Sequence, residues 1–114
     1  MSAASLDGRT YLATSAHPHR LAGGAQLTLI FEDGAVVARG GCNTQRAGYE
    51  VRDGRLLLTG PMMSTLMACE PELMEQDRWI AELLADGPAM EAVDEQLTLR
   101  GAGSEVVLRV LARD

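Results

Sequence analysis

A chain of 114 residues with 46% apolar and 23% charged side chains has room for one domain, over residues 1–114, and is too apolar for a disordered segment. Sixteen acidic against ten basic residues leave a formal net charge of −6, with the basic residues scattered. That balance argues against nucleic acid and against an anionic membrane surface, both of which need a basic face. No apolar run reaches the length of a membrane span. Aromatics are only 4%, so the core must be built from Leu, Val and Ala, with six Met able to fill irregular gaps.

The N-terminal stretch MSAASLDGRTYLATS has neither a basic start nor an apolar core, so the chain as given carries no signal peptide. It reads as soluble and cytoplasmic, unless a leader was removed. Arg9 to Ser15 then alternates, with Tyr11 and Ala13 on one side. The loop Ala16-His17-Pro18-His19 follows, and its two histidines read as solvated imidazoles. A His-x-His half-site for a metal is the less favoured alternative, and no metal or other cofactor is expected.

Gln26 to Glu32 places Leu27, Leu29 and Phe31 on one face. Asp33-Gly34 joins it to Ala35–Arg39, and apolar runs joined by Asp-Gly predict a hairpin. The device recurs at Tyr49–Val51, Asp53-Gly54 and Leu56–Leu58. Gln96–Arg100 and Glu105–Leu111, flanking Gly101-Ala102-Gly103-Ser104, predict a third hairpin. Between them, Pro71–Ala85 has Leu73, Ile80 and Leu84 on one stripe, with Met74 and Leu83 beside it. That spacing predicts an amphipathic helix of about four turns. Pro71 suits its first position, and Asp86-Gly87-Pro88 ends it. Glu72, Glu75, Asp77, Arg78 and Glu82 read as its solvated face. Seven or eight short strands and one helix result, with the sheet mostly antiparallel.

The chemistry-bearing residues gather in GGCNTQRAGY (residues 40–49) and STLMAC (64–69). Gly40 and Gly41 permit close backbone approach, and Asn43 can fix a turn. Cys42 and Cys69, the only cysteines, span the second hairpin. They read as buried thiols or as a structural disulfide worth roughly 3–4 kcal/mol. Their sulfurs are expected close in space in either case. A reactive pair is less favoured, because the spacing is not Cys-x-x-Cys. Met62, Met63 and Met67 read as gap-fillers rather than soft-metal ligands. Trp79, with Met67 and Met74, is the candidate lining of a pocket, though packing of Trp79 against the sheet is the plainer reading. No phosphate-loop, dinucleotide, EF-hand, zinc-protease or nucleophile-elbow pattern is present.

Gly41-Cys42-Asn43, then Gly48-Tyr49, a hairpin, Thr65-x-Met67-x-Cys69, an acidic amphipathic helix and a closing Leu97-Thr98-Leu99 strand resemble the META domain of the HslJ-like heat-shock group. The ordered set runs from about Gly8 to Leu111. The resemblance implies an α+β fold: an antiparallel sheet curled into a cracked, partly open β-barrel with one helix, at about 71–85, packed on it, akin to secretin pilotins. It also implies a stress- or envelope-associated role, in the cell envelope or secreted, and no known catalytic residues. The expected function is therefore a non-catalytic binding or stability module for an apolar small molecule or a protein partner, with self-association as a further option. The alternative is a thiol-dependent redox protein or enzyme using Cys42 or Cys69.

Overall fold

The computed structural model describes residues 6–23 and 26–113. Residues 1–5, part of the stretch read for a leader, lie outside them. The elements are β1 (Arg9–His17), β2 (Thr28–Glu32), β3 (Ala35–Arg39), β4 (Gln45–Arg52), β5 (Arg55–Leu58), β6 (Met63–Ser64), α1 (Pro71–Ala85), β7 (Ala89–Val93), β8 (Gln96–Gly101) and β9 (Ser104–Arg113).

Four two-residue turns set the register of the hairpins, and three of them share one form. Asp33-Gly34, Asp53-Gly54 and Ala102-Gly103 all have positive φ at both positions. This is the turn whose twist matches that of paired strands. It fixes Glu32 opposite Ala35, Arg52 opposite Arg55 and Gly101 opposite Ser104. β7 was not anticipated. It leaves Pro88 directly after the helix and pairs along its whole length with β8.

Local hairpins alone would leave open edges. Here every pairing is antiparallel, the order runs β3-β2-β1-β9-β8-β7-β5-β4, and β4 pairs back onto β3. Eight strands thus close a barrel, and closure removes the edges. One seam is thin. β5 meets β7 through the single pair Arg55–Ala89, with Leu56 N donating to Pro88 O (3.0 Å) and Met90 N to Gly54 O (2.8 Å). The barrel is closed rather than partly open, and this seam is its thinnest pairing. β6 extends the line of β5 along β4, with Ser64 opposite Gln45, and among the described residues no strand lies beside its outer edge.

The barrel interior is filled by side chains. Tyr11, Leu29, Phe31, Val36, Leu56, Leu97, Leu99, Val106 and Leu108 are all buried in one cluster. Both tyrosines and the one phenylalanine of the chain meet there edge to face, Tyr11–Phe31 at 5.8 Å and Phe31–Tyr49 at 5.1 Å between ring centres. Helix α1 runs over the bounds that its punctuation predicts. It packs against β5 and β8, and Ile80, Leu83 and Leu84 join the same core. At its C-terminus Arg55 donates to the carbonyls of Gly87 (2.6 Å) and Asp86 (3.0 Å). These bonds tie the helix end to the strand that forms the thin seam.

Candidate functional site

The stripe of α1 that faces the protein is not wholly apolar. Gln76 is fully buried and Asp77 nearly so. Asp77 therefore corrects the expectation of a solvated acidic face. It stands four residues after Leu73 and three before Ile80, which places it on the buried stripe. That spacing was a readable signal.

A carboxylate taken from water needs donors. Asp77 Oδ1 accepts from the backbone N–H of Cys42 (3.0 Å). Its Oδ2 accepts from the backbone N–H of Asn43 (2.8 Å) and from Asn43 Nδ2 (3.1 Å). A Cβ on Gly41 would lie 2.0 Å from Asp77 Oδ1, so the approach requires glycine at that position. Gln76 does the same work next door. It accepts from Ala22 N (2.7 Å) and donates to Gly40 O (2.7 Å). One helical turn thus holds two loops through hydrogen bonds.

Asn43 carries the connection outward. Its Oδ1 accepts from Met67 N (2.7 Å) and from Thr65 Oγ1 (2.9 Å), and its Nδ2 donates to Met67 O (3.3 Å). The side-chain amide pairs with Met67 as a neighbouring strand would. Thr44 and Thr65 add a reciprocal pair: Thr44 N donates to Thr65 Oγ1 and Thr65 N donates to Thr44 O, both at 3.1 Å. Cys42 and Cys69 close the set as a disulfide, with Cα atoms 5.7 Å apart and a sequence separation of 27. The sulfurs are thus together, as expected, and a loop of that length contributes about 3.5 kcal/mol in the chain-entropy picture. In the disulfide neither sulfur is a thiolate nucleophile.

The structure therefore gathers Gly41, Cys42, Asn43, Thr65, Met67 and Cys69 into one clasp between residues 41–46 and 63–69. Gly48 and Tyr49 lie elsewhere. Gly48 sits opposite Ala35 and close under Thr59. Tyr49 is in the barrel core, and its hydroxyl donates to the Asp7 carboxylate, whose other oxygen accepts from Gly34 N (3.1 Å). Burial first, then the hydrogen bond and charge of Asp7, push the Tyr49 phenol above its ordinary value.

Trp79, Met74 and Met67 do not line a common pocket. Trp79 stacks on His19 (4.1 Å, planes 10° apart) and donates through Nε1 to Ser104 Oγ (3.1 Å). Its depression also includes Pro18, Glu75 and Glu82. Met74 lines a separate groove between α1 and β6, with Gln45, Leu66 and Ala81. The side chain of Met67 points outward. Met62 packs on the core, but Met63 and Met67 are 73% and 56% exposed, so gap-filling describes only the first of the three. His17 belongs to β1 rather than to a loop. Among the described residues no group of three or more metal-type side chains comes together.

The META domain family model matches residues 4–114 of this chain. No curated protein matches it. Among solved structures, one NMR structure of a protein superposes with a TM-score of 0.81 at 21% identity, covering 96% of this chain and 95% of that one. Another, of a protein from Burkholderia xenovorans, gives 0.78 at 20% identity, covering 97% and 87%. At such identity the likeness is one of fold.

Two outcomes follow from this geometry. Asp77→Asn removes the charge that three N–H donors share and should lower unfolding free energy by about 2 kcal/mol, whereas the exposed neighbour change Glu72→Gln stays within about 0.5 kcal/mol. Urea melts of the oxidised protein compare them, and equal effects would return Asp77 to the solvated face. For Tyr49 the folded-state pKa is raised, so its contribution is complete below the unfolded value of about 10 and is lost as pH rises beyond it. Tyr49→Phe should cost about 1–2 kcal/mol at pH 8 and flatten the decline of stability above roughly pH 10. A parallel decline in both proteins would contradict this.

Proposed function

We propose that this chain, which belongs to the META domain family, works as a non-catalytic protein-binding module of an oxidising compartment such as the cell envelope, and that the clasped segment 62–69 is its binding surface. The observation that carries this reading is Leu66. It is 97% exposed, and Met63 and Met67 beside it are 73% and 56% exposed. Single exposed apolar residues on a mobile loop mean little. These three sit on backbone held by a disulfide and by the Asn43 amide, which the Asp77 carboxylate in turn holds. A surface fixed before binding loses little conformational entropy when a partner arrives.

Three further points support the reading. The barrel interior is occupied by Tyr11, Phe31 and their Leu and Val neighbours, so an apolar small molecule would have to displace core side chains. A disulfide persists in oxidising compartments and is seldom kept in reducing ones. The resemblance to a stress- and envelope-associated group points the same way.

Photo-crosslinking from benzoylphenylalanine at position 66 tests this in cells that make the protein naturally, with position 53 in the exposed β4–β5 turn as the control. A discrete adduct with another protein from position 66, absent from position 53, is the expected result. Indiscriminate labelling from both positions would remove the reading. An adduct of two copies of this chain would replace it with self-association.

A further inference from the structure

Both cysteines are committed to the Cys42–Cys69 disulfide, so the remaining sulfur of the chain is in its methionines. Met62 and Met90 pack against the core, and Met74 is half-buried on α1. Met63 and Met67 are exposed, on either side of Leu66. Oxidation of a thioether follows its exposure, so these two sulfurs are the ones a dissolved oxidant meets first. The backbone beneath them is held without help from either side chain. Met67 N–H donates to Asn43 Oδ1 (2.7 Å), and the Met67 carbonyl accepts from Asn43 Nδ2 (3.3 Å). Met63 stands directly opposite Arg46 across β4 and β6, and both line one open depression with Thr44, Ser64 and Thr65. Side chains directly opposite on paired strands are within reach of each other. A guanidinium has donors only, and a thioether sulfur is a weak acceptor for them. A sulfoxide oxygen is a strong one.

We infer that Met63 and Met67 form an oxidation site for a hydroperoxide that switches the binding surface off, and that Arg46 holds the oxygen added to Met63. The inference rests on the proposed binding role of segment 62–69 and names the regulation of that surface. The step balances with no further reactant. A sulfur lone pair attacks one peroxide oxygen, and the S–O bond forms as the O–O bond breaks. The proton on the transferred oxygen passes to the departing hydroxide, which leaves as water. Each thioether loses two electrons and each peroxide gains them. The product is a polar side chain where an apolar one stood. A partner that covers this surface must then strip water from an S=O group at both positions, which opposes binding. The clasp itself is made by backbone groups, the Asn43 amide and the disulfide, none of which the reaction consumes. A compartment that preserves the disulfide also lacks the thiol pool that would intercept a peroxide first.

The test treats the purified protein, its disulfide intact, with hydrogen peroxide and follows each methionine by peptide mass spectrometry. Met63 and Met67 should react within about threefold of the rate of N-acetylmethionine amide, and Met62, Met74 and Met90 at least about fivefold more slowly than that pair. The amides of Cys42, Asn43 and Met67 should keep their protection from hydrogen exchange. The Arg46 Nε–H signal should shift on oxidation of the native protein but not of Met63→Leu. Protein carrying benzoylphenylalanine at position 66 is then oxidised, freed of peroxide and irradiated in an extract of cells that make it naturally. The yield of its discrete adduct should fall at least about tenfold against the untreated sample. With Met63→Leu and Met67→Leu combined, the same treatment should leave the yield at whatever it was before peroxide. Uniform rates at all these methionines, loss of protection in the clasp, an unmoved Arg46 signal or an adduct that peroxide does not diminish would each overturn the inference. So would a fall in yield that persists in the combined variant. If no adduct forms even before treatment, the binding surface itself fails, and the rates and the Arg46 signal still decide whether Met63 and Met67 are the oxidation site.

Discussion

The arrangement of this molecule outside its barrel depends on one carboxylate. Asp77 is carried by the helix into a nearly dry position, where it must be met by donors. The donors it finds are the consecutive backbone amides of Cys42 and Asn43 and the Asn43 side chain. This requirement sets the path of the Gly40–Asn43 turn. It orients Asn43 toward Met67 and brings Cys42 to Cys69. The disulfide then fastens segments that hydrogen bonds already align.

The barrel supplies the rigid body to which the clasp is fixed. Its strands are joined mostly by short turns, but its closure relies on two non-local pairings, β1 on β9 and the thin seam of β5 on β7. The helix lies by that seam. The carbonyls of Asp86 and Gly87, just past its end, are taken up by Arg55 of β5, and its apolar stripe completes the core. Helix placement, seam and clasp therefore form one mechanical unit. The apolar residues left on the surface near the clasp are held in place by that unit, which is why exposure at Leu66 carries weight that exposure at Val93 or Leu111 does not.

Much of the fold was legible because its local chemistry is explicit. Asp33-Gly34 and Asp53-Gly54 specify their turns, and Pro71 and Gly87 bracket the helix within its observed bounds. The ordered motif residues pointed to the META domain, and the family match agrees. β7 was less legible, because Ala89–Val93 is short, follows a proline and lacks an Asp-Gly turn. Closure of the sheet depends on contacts between residues far apart in sequence, which periodicity does not report. At the site, the proximity of Cys42 and Cys69 could be expected, but the reason for it could not. That reason lies in Asp77, an acidic residue on a helix full of acidic residues. Its position relative to Leu73 and Ile80 was the only mark that set it apart from Glu72 and Glu75. Met63 and Met67 could not be told from core-filling methionines, since backbone pairing at Ser64, Thr65 and Met67 decides where those side chains point.

Amide hydrogen exchange of the oxidised protein, residue by residue under native conditions, reports most directly on whether the clasp is part of the rigid body. The N–H groups of Cys42, Asn43, Thr65 and Met67 should open with free energies close to those of the core strands β8 and β9. Exchange of these four amides at the rate of an unprotected loop, with the core strands still protected, would show that segment 62–69 moves independently and that its exposed side chains are not held for a partner.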